Sequence, residues 1–164
     1  MLLPHFYPQN NKDMRRIENI LNYKRKSNIL STSGQPKEDE IILIKNEGFD
    51  VILNIRPEQE MFYEFNEKEI VEKFGMKYFQ IPMTFETLNK EILEKFFKAL
   101  EEYKDEKLFV HCHHNIRVSA LLAFYRIIKL GWEKEEAYTE LAEMMEVNSM
   151  LENFFNFHIN NYSV

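Results

Sequence analysis

Apolar positions along this chain follow two rhythms: short runs of strand length, and longer stretches with apolar residues three and four apart. The short runs Ser27 to Ser31, Asp50 to Ile55, Lys77 to Ile81 and Lys107 to His111 predict four strands. Between them the helical rhythm takes over. Met14, Ile17, Ile20 and Leu21 predict an N-terminal helix over Lys12 to Tyr23. Pro36 followed by Lys37-Glu38-Asp39-Glu40 marks another helix start, with proline in the first turn and acids at the positive end, and Gly48 closes it. Glu67 to Phe74 is helical up to Gly75.

The clearest amphipathic stretch is Asn89 to Tyr103, with Ile92, Leu93, Phe96, Phe97 and Leu100 on one face. Ile116 to Leu130 is apolar nearly all round and is expected at the centre of the molecule, and helices over Glu133 to Met145 and Met150 to about Asn160 finish the chain. Strands alternating with helices imply an α/β domain with a short, mostly parallel four-stranded sheet flanked by helices. One domain is expected over residues 1–164, with a core at about 27–145, an N-terminal extension at 1–26 and a C-terminal helix from 146. Ligands of such sheets bind outside the carboxyl ends of the strands. Those ends carry Gln35, Arg56, Glu86 in the loop after Pro82, and Cys112.

Composition narrows the function. Hydrophobic residues make up 45% of the chain, enough to bury a core, and the net charge of −6 disfavours a nucleic-acid partner. The start Met1-Leu2-Leu3-Pro4-His5 lacks the basic and apolar regions of a signal peptide, and Ala120 to Leu130 is too short and too charged to span a bilayer. Those features, with a single cysteine, fit a reducing cytoplasm and no membrane partner.

That cysteine sits in Leu108-Phe109-Val110-His111-Cys112-His113-His114-Asn115-Ile116-Arg117-Val118-Ser119, a strand, a tight loop and a helix start. A thiol there lies where backbone N–H groups and the positive helix end converge, which favours a thiolate able to hold an anion. Phosphoryl transfer needs a nucleophile, donors for the equatorial oxygens and an acid for the leaving oxygen. Cys112 is the candidate nucleophile. The amides of His113, His114, Asn115, Ile116, Arg117 and Val118 can cradle the oxygens, and the Arg117 guanidinium can clamp them. Ser119 can hydrogen-bond the sulfur, His111 can order the backbone around it, and Glu86 is the candidate acid. Asp105, the other upstream carboxylate, lies at the far end of its strand. Arg56 reads equally as an ion-pairing strand cap or a phosphate contact, and Gln35 as a helix-end partner or a site residue. Consecutive histidines on a strand end point different ways, so no metal is expected.

These residues resemble the cysteine-dependent protein tyrosine and dual-specificity phosphatases, whose signature is His-Cys, five residues, then Arg followed by Ser or Thr. His111, Cys112 and Ser119 fall in place. The expected arginine position holds Val118, and Arg117 comes one residue earlier. Together with Ser31-Thr32-Ser33-Gly34-Gln35-Pro36 and Asn54-Ile55-Arg56-Pro57, the loop looks like that of small bacterial atypical phosphatases akin to the beta-lactamase-hydrolase-like group. The resemblance covers about residues 27–145. It implies a tyrosine-phosphatase-like fold, a phosphocysteine intermediate, no cofactor, and a phosphorylated protein or small phosphomonoester as substrate. The six residues from Cys112 to Arg117 are also the loop length of rhodanese-like sulfurtransferases, so transfer of sulfur through a Cys112 persulfide is the second reading. A phosphate-binding module with weak catalysis is the third.

Overall fold

The computed structural model describes residues 15–60 and 65–164. Five strands form one sheet in the order β1-β2-β5-β3-β4. They are β1 (Lys24–Arg25), β2 (Leu30–Ser33), β3 (Val51–Asn54), β4 (Lys77–Gln80) and β5 (Leu108–His111). The helices are α1 (Ile41–Asn46), α2 (Glu67–Lys73), α3 (Lys90–Glu102), α4 (Ile116–Ile128), α5 (Lys134–Leu141) and α6 (Ser149–Tyr162). This is the α/β architecture expected from the chain, with its four parallel strands β2 to β5 and one strand more. The extra strand, β1, is two residues long, cationic, and antiparallel to β2 at the sheet edge. It is too short for any periodicity to show, and its charges suit an edge open to solvent.

The N-terminal helix is a correction. Lys12 to Met14 lie outside the described residues, and from Arg15 onward the chain makes only a single 3₁₀ turn, Ile17–Asn19. Asn22 then takes a left-handed φ of 51°, which ends any helix and turns the chain into β1. The apolar spacing that suggested a helix has another use: Ile17 and Ile20 are buried against Ile41, Ile44 and Phe109.

The sheet divides two apolar layers by simple alternation. Val51, Leu53, Leu108 and Val110 face the larger core under α3, α4 and α6, while Ile52 and Phe109 face the smaller one under α1 and α2. Asparagines cap three of the helices, α2, α3 and α6. The side-chain oxygens of Asn66, Asn89 and Asn148 each accept the backbone N–H three residues on, at about 1 kcal/mol apiece. Helix α4 runs through the middle with Val118, Leu121, Leu122 and Phe124 buried, as its unbroken apolar character implies. Among the described residues no helix is long and apolar enough to cross a membrane.

Register is what builds the site. Ser33 and Asn54 both lie opposite His111, and Gln80 lies opposite Asn54, so four parallel strands end on one level. The segments that leave them, Gly34-Gln35, Cys112 to Asn115, Ile55-Arg56 and Ile81 to Glu86, therefore crowd a single rim.

Candidate active site

The loop after β5 is shaped by its neighbours more than by its own residues. The N–H of Cys112 donates to the Ser33 carbonyl (3.3 Å), and the N–H of Gln35 donates to the His113 carbonyl (3.0 Å). Gly34 sits directly beneath: a Cβ there would lie 2.7 Å from the His113 carbonyl oxygen and 3.0 Å from Leu21. Only glycine lets β2 come so close to the loop.

The loop itself has no glycine, and Asn115 takes its place in the turn. It adopts a left-handed φ of 69°, a region asparagine tolerates better than most residues. Its side-chain amide donates to the Asn22 carbonyl (2.8 Å) and to Thr32 Oγ1 (3.0 Å), while the Asn22 amide donates back to the His114 carbonyl (3.0 Å). Two asparagines with positive φ thus hold each other's turns. Ser119, one turn into α4, donates its hydroxyl proton to the Asn115 carbonyl (2.7 Å), so its hydrogen bond secures the loop's backbone.

Behind the loop lies a buried polar network that joins all four parallel strands' ends. His111 is fully buried, its Nε2 2.8 Å from Glu67 Oε1 at the start of α2. Its other ring nitrogen, Nδ1, lies 3.4 Å from the Cys112 carbonyl. The Glu67 carboxylate also accepts from Asn54 Nδ2 (3.0 Å), Gln35 Nε2 (3.4 Å) and the Tyr78 hydroxyl (3.4 Å). Burial and the nearby Glu67 charge hold the Tyr78 hydroxyl well above its ordinary pKa, so it remains a donor. Gln35 in turn accepts from Arg56 Nη1 (2.7 Å). Arg56 is 1% exposed, so what it loses in hydration has to be met by such partners.

Above this network a cavity of about 340 Å³ opens, lined by Arg56, Glu60, Phe85, Cys112, His113, His114, Ile116 and Arg117. Cys112, among its lining residues, is itself 1% exposed. Arg117 donates from Nη1 to the Met83 carbonyl (2.9 Å) and from Nη2 to Glu60 Oε2 (2.6 Å). That same Glu60 oxygen lies 3.6 Å from Arg56 Nε. Partial burial pushes the Glu60 carboxyl up, but the hydrogen bond and charge of Arg117 and the charge of Arg56 outweigh it, and its pKa falls below the ordinary value. Glu60 thus bridges two arginines in the wall of the cavity that Cys112 also lines.

The structure therefore gathers Cys112, Arg117, Arg56, His113, His114 and Ile116 around one cavity. Asn115, Val118, Ser119, His111 and Gln35 lie behind it as buried or partly buried support. Glu86 stands outside the lining and is exposed, one residue from Phe85. Its own backbone N–H, Thr84 and the Arg117 charge lower its pKa. Two lining residues, Glu60 and Phe85, escaped sequence reasoning. For Glu60 a signal was present: it follows Arg56 at i+4 across a short 3₁₀ turn. Among the described residues no group of three histidine, cysteine, aspartate or glutamate side chains is placed to hold a metal ion.

Comparison with known proteins agrees with this geometry. The family model described as a DSP-PTPase phosphatase fused to NAD+ kinase matches residues 2–156. Among curated proteins none matches. Of solved structures, a candidate phosphatase (DUF442) from Shewanella putrefaciens CN-32 is 26% identical and superposes with a TM-score of 0.73, covering 89% of this chain and 96% of its own. P. aeruginosa TpbA in complex with phosphotyrosine is 15% identical, with a TM-score of 0.65 over 85% of this chain and 83% of its own. PTPMT1 in complex with PI(5)P is 19% identical, with a TM-score of 0.68 over 87% of this chain and 99% of its own.

Proposed function

Because the chain belongs to the DSP-PTPase phosphatase family whose model is that of the phosphatase fused to NAD+ kinase, we infer that the Cys112 cavity hydrolyses a phosphomonoester through a phosphocysteine intermediate. The observation that carries this is the cavity itself, lined by Cys112 and by Arg117 and Arg56 converging on one oxygen of the Glu60 carboxylate. In the first step the Cys112 sulfur attacks phosphorus, the P–O ester bond breaks, and the leaving oxygen takes a proton from Glu86. In the second, water attacks the phosphocysteine, the P–S bond breaks, phosphate leaves with the thiolate restored, and Glu86 recovers the water's proton. The loop amides and the N-terminus of α4 offset the equatorial charge in both steps. Ser119 acts through the Asn115 carbonyl by keeping those amides aimed inward. The phosphotyrosine of the TpbA complex and the PI(5)P of the PTPMT1 complex are both phosphomonoesters, which supports that substrate class. The arginine placed one residue early supports a subgroup with a shortened loop.

The test is hydrolysis of p-nitrophenyl phosphate from pH 5 to 8, with and without vanadate. Vanadate-sensitive turnover is expected. Its absence, with transfer of thiosulfate sulfur to cyanide in its place, would move the chemistry to a Cys112 persulfide. Anion binding with neither activity would leave a phosphate-binding module.

Two consequences concern the carboxylates. A substrate dianion must displace Glu60 from Arg117, so Glu60→Gln is expected to lower KM about two- to fivefold, as for a half-exposed ion pair, with kcat unchanged. A fall in kcat would instead give Glu60 a part in the reaction steps. The depressed pKa of Glu86 confines its protonated form to pH below the ordinary carboxylate value. Turnover of an alkyl phosphate, whose leaving oxygen needs the proton, is therefore expected to rise toward acid pH. Glu86→Gln should flatten that acid limb, and an unchanged profile would remove Glu86 from the proton transfer.

A further inference from the structure

A second cavity, of about 270 Å³, shares Phe85 with the Cys112 cavity. Its other walls come from the end of the α5–α6 connection and the first turns of α6: Met145, Met150, Leu151 and Phe154. Glu146 and Asn148 are its only polar lining residues. The Phe85 ring meets Phe154 edge-on, with centroids 5.8 Å apart, so the partition between the two cavities is a single, packed aromatic side chain. Met150, in the first turn of α6, is 79% exposed.

Resting on the phosphatase reading above, we propose that this cavity receives one apolar side chain of a phosphorylated peptide, two residues from the phosphorylated one. Three observations select that occupant. The volume is just under the range of about 300–1,000 Å³ in which whole small ligands are held, so it takes a single group rather than a ligand of its own. It adjoins the phosphate site across one shared residue, Phe85. And in an extended peptide, residues two apart point the same way, roughly 7 Å from each other, the spacing needed to straddle one aromatic wall. The phosphate then sits over Cys112, the next residue's side chain turns to solvent, and the apolar one enters beside Leu151. Met150, flexible and polarisable, closes over it.

The experiment compares phosphotyrosine peptides carrying leucine or alanine two residues before or after the phosphotyrosine. In wild type, leucine on one side is expected to raise kcat/KM about 10- to 100-fold, the range for a group of this size in an apolar pocket. Leu151→Ser, and separately Met150→Ser on the exposed side, should erase most of that preference while p-nitrophenyl phosphate turnover stays at the wild-type rate. Equal rates for leucine and alanine peptides in both positions overturn the proposal. Decyl phosphate hydrolysed faster than either peptide, and slowed by Leu151→Ser, overturns it in favour of an alkyl chain. Loss of p-nitrophenyl phosphate turnover in wild type would be a failure of the phosphatase reading itself, and the two failures are therefore read separately.

Discussion

Exchanging Cys112 for serine is expected to bring p-nitrophenyl phosphate hydrolysis down by about a thousandfold or more, to the uncatalysed background. The substitution is nearly isosteric, and its site is 1% exposed and held by a backbone bond to Ser33, so the fold should be retained. What is lost is the nucleophile. A serine hydroxyl keeps its proton unless a base removes it, and His111 is not available for that task. Its Nε2 faces Glu67 and its Nδ1 faces the Cys112 carbonyl. The loop amides, Arg117 and Arg56 remain, so the variant should still bind vanadate or phosphate as a reversible anion. A tenth of wild-type turnover surviving in the variant would place the nucleophile elsewhere.

Glu67→Ala is expected to be the most destabilising single change near the site. Glu67 is 6% exposed and serves His111, Asn54, Gln35 and Tyr78 at once. Removing it takes the carboxylate away from buried His111 and one acceptor from each of Asn54, Gln35 and Tyr78. Breaking such a buried pair costs about 3–5 kcal/mol, which for a chain of this length corresponds to a fall of about 10 °C in the unfolding midpoint. Glu67→Gln keeps an acceptor oxygen and should lose less than half as much. Scanning calorimetry of the two variants checks both values, and equal midpoints for wild type and Glu67→Ala would show that the network contributes nothing to stability.

How far the sequence could be read depended on whether a feature was local. The two central strands were legible because each is a short run buried on both faces, Val51–Asn54 and Leu108–His111, whereas β2 begins three residues later than the run from Ser27 to Ser31 and is mostly hydroxylic. Helix α4 announced its central place by lacking a polar face. The segment from Ile17 to Tyr23 was misread because its apolar residues are spaced as in a helix, yet the backbone turns at Asn22 to reach a sheet edge that no local pattern records. Within the site, Cys112, Arg117 and the histidines were visible as one continuous motif. Glu60 and Phe85 were not, since each reaches the cavity only because β3 and β4 end level with β5. Glu86 drew notice for being an acid in the right loop. Its neighbour Phe85, with nothing chemical to advertise, is the residue that lines the cavity.

The bonds from the Asn115 amide to the Asn22 carbonyl and from the Asn22 amide to the His114 carbonyl tie the turn before β1 to the loop after β5. Neither turn can open without releasing the other, so the two should exchange their amide hydrogens as one cooperative unit, although 93 residues separate them in sequence. Slackening the N-terminal turn would then loosen the anion cradle from a distance. Sensitivity to events around Asn22 is in this way carried by two side-chain amides, one in each turn.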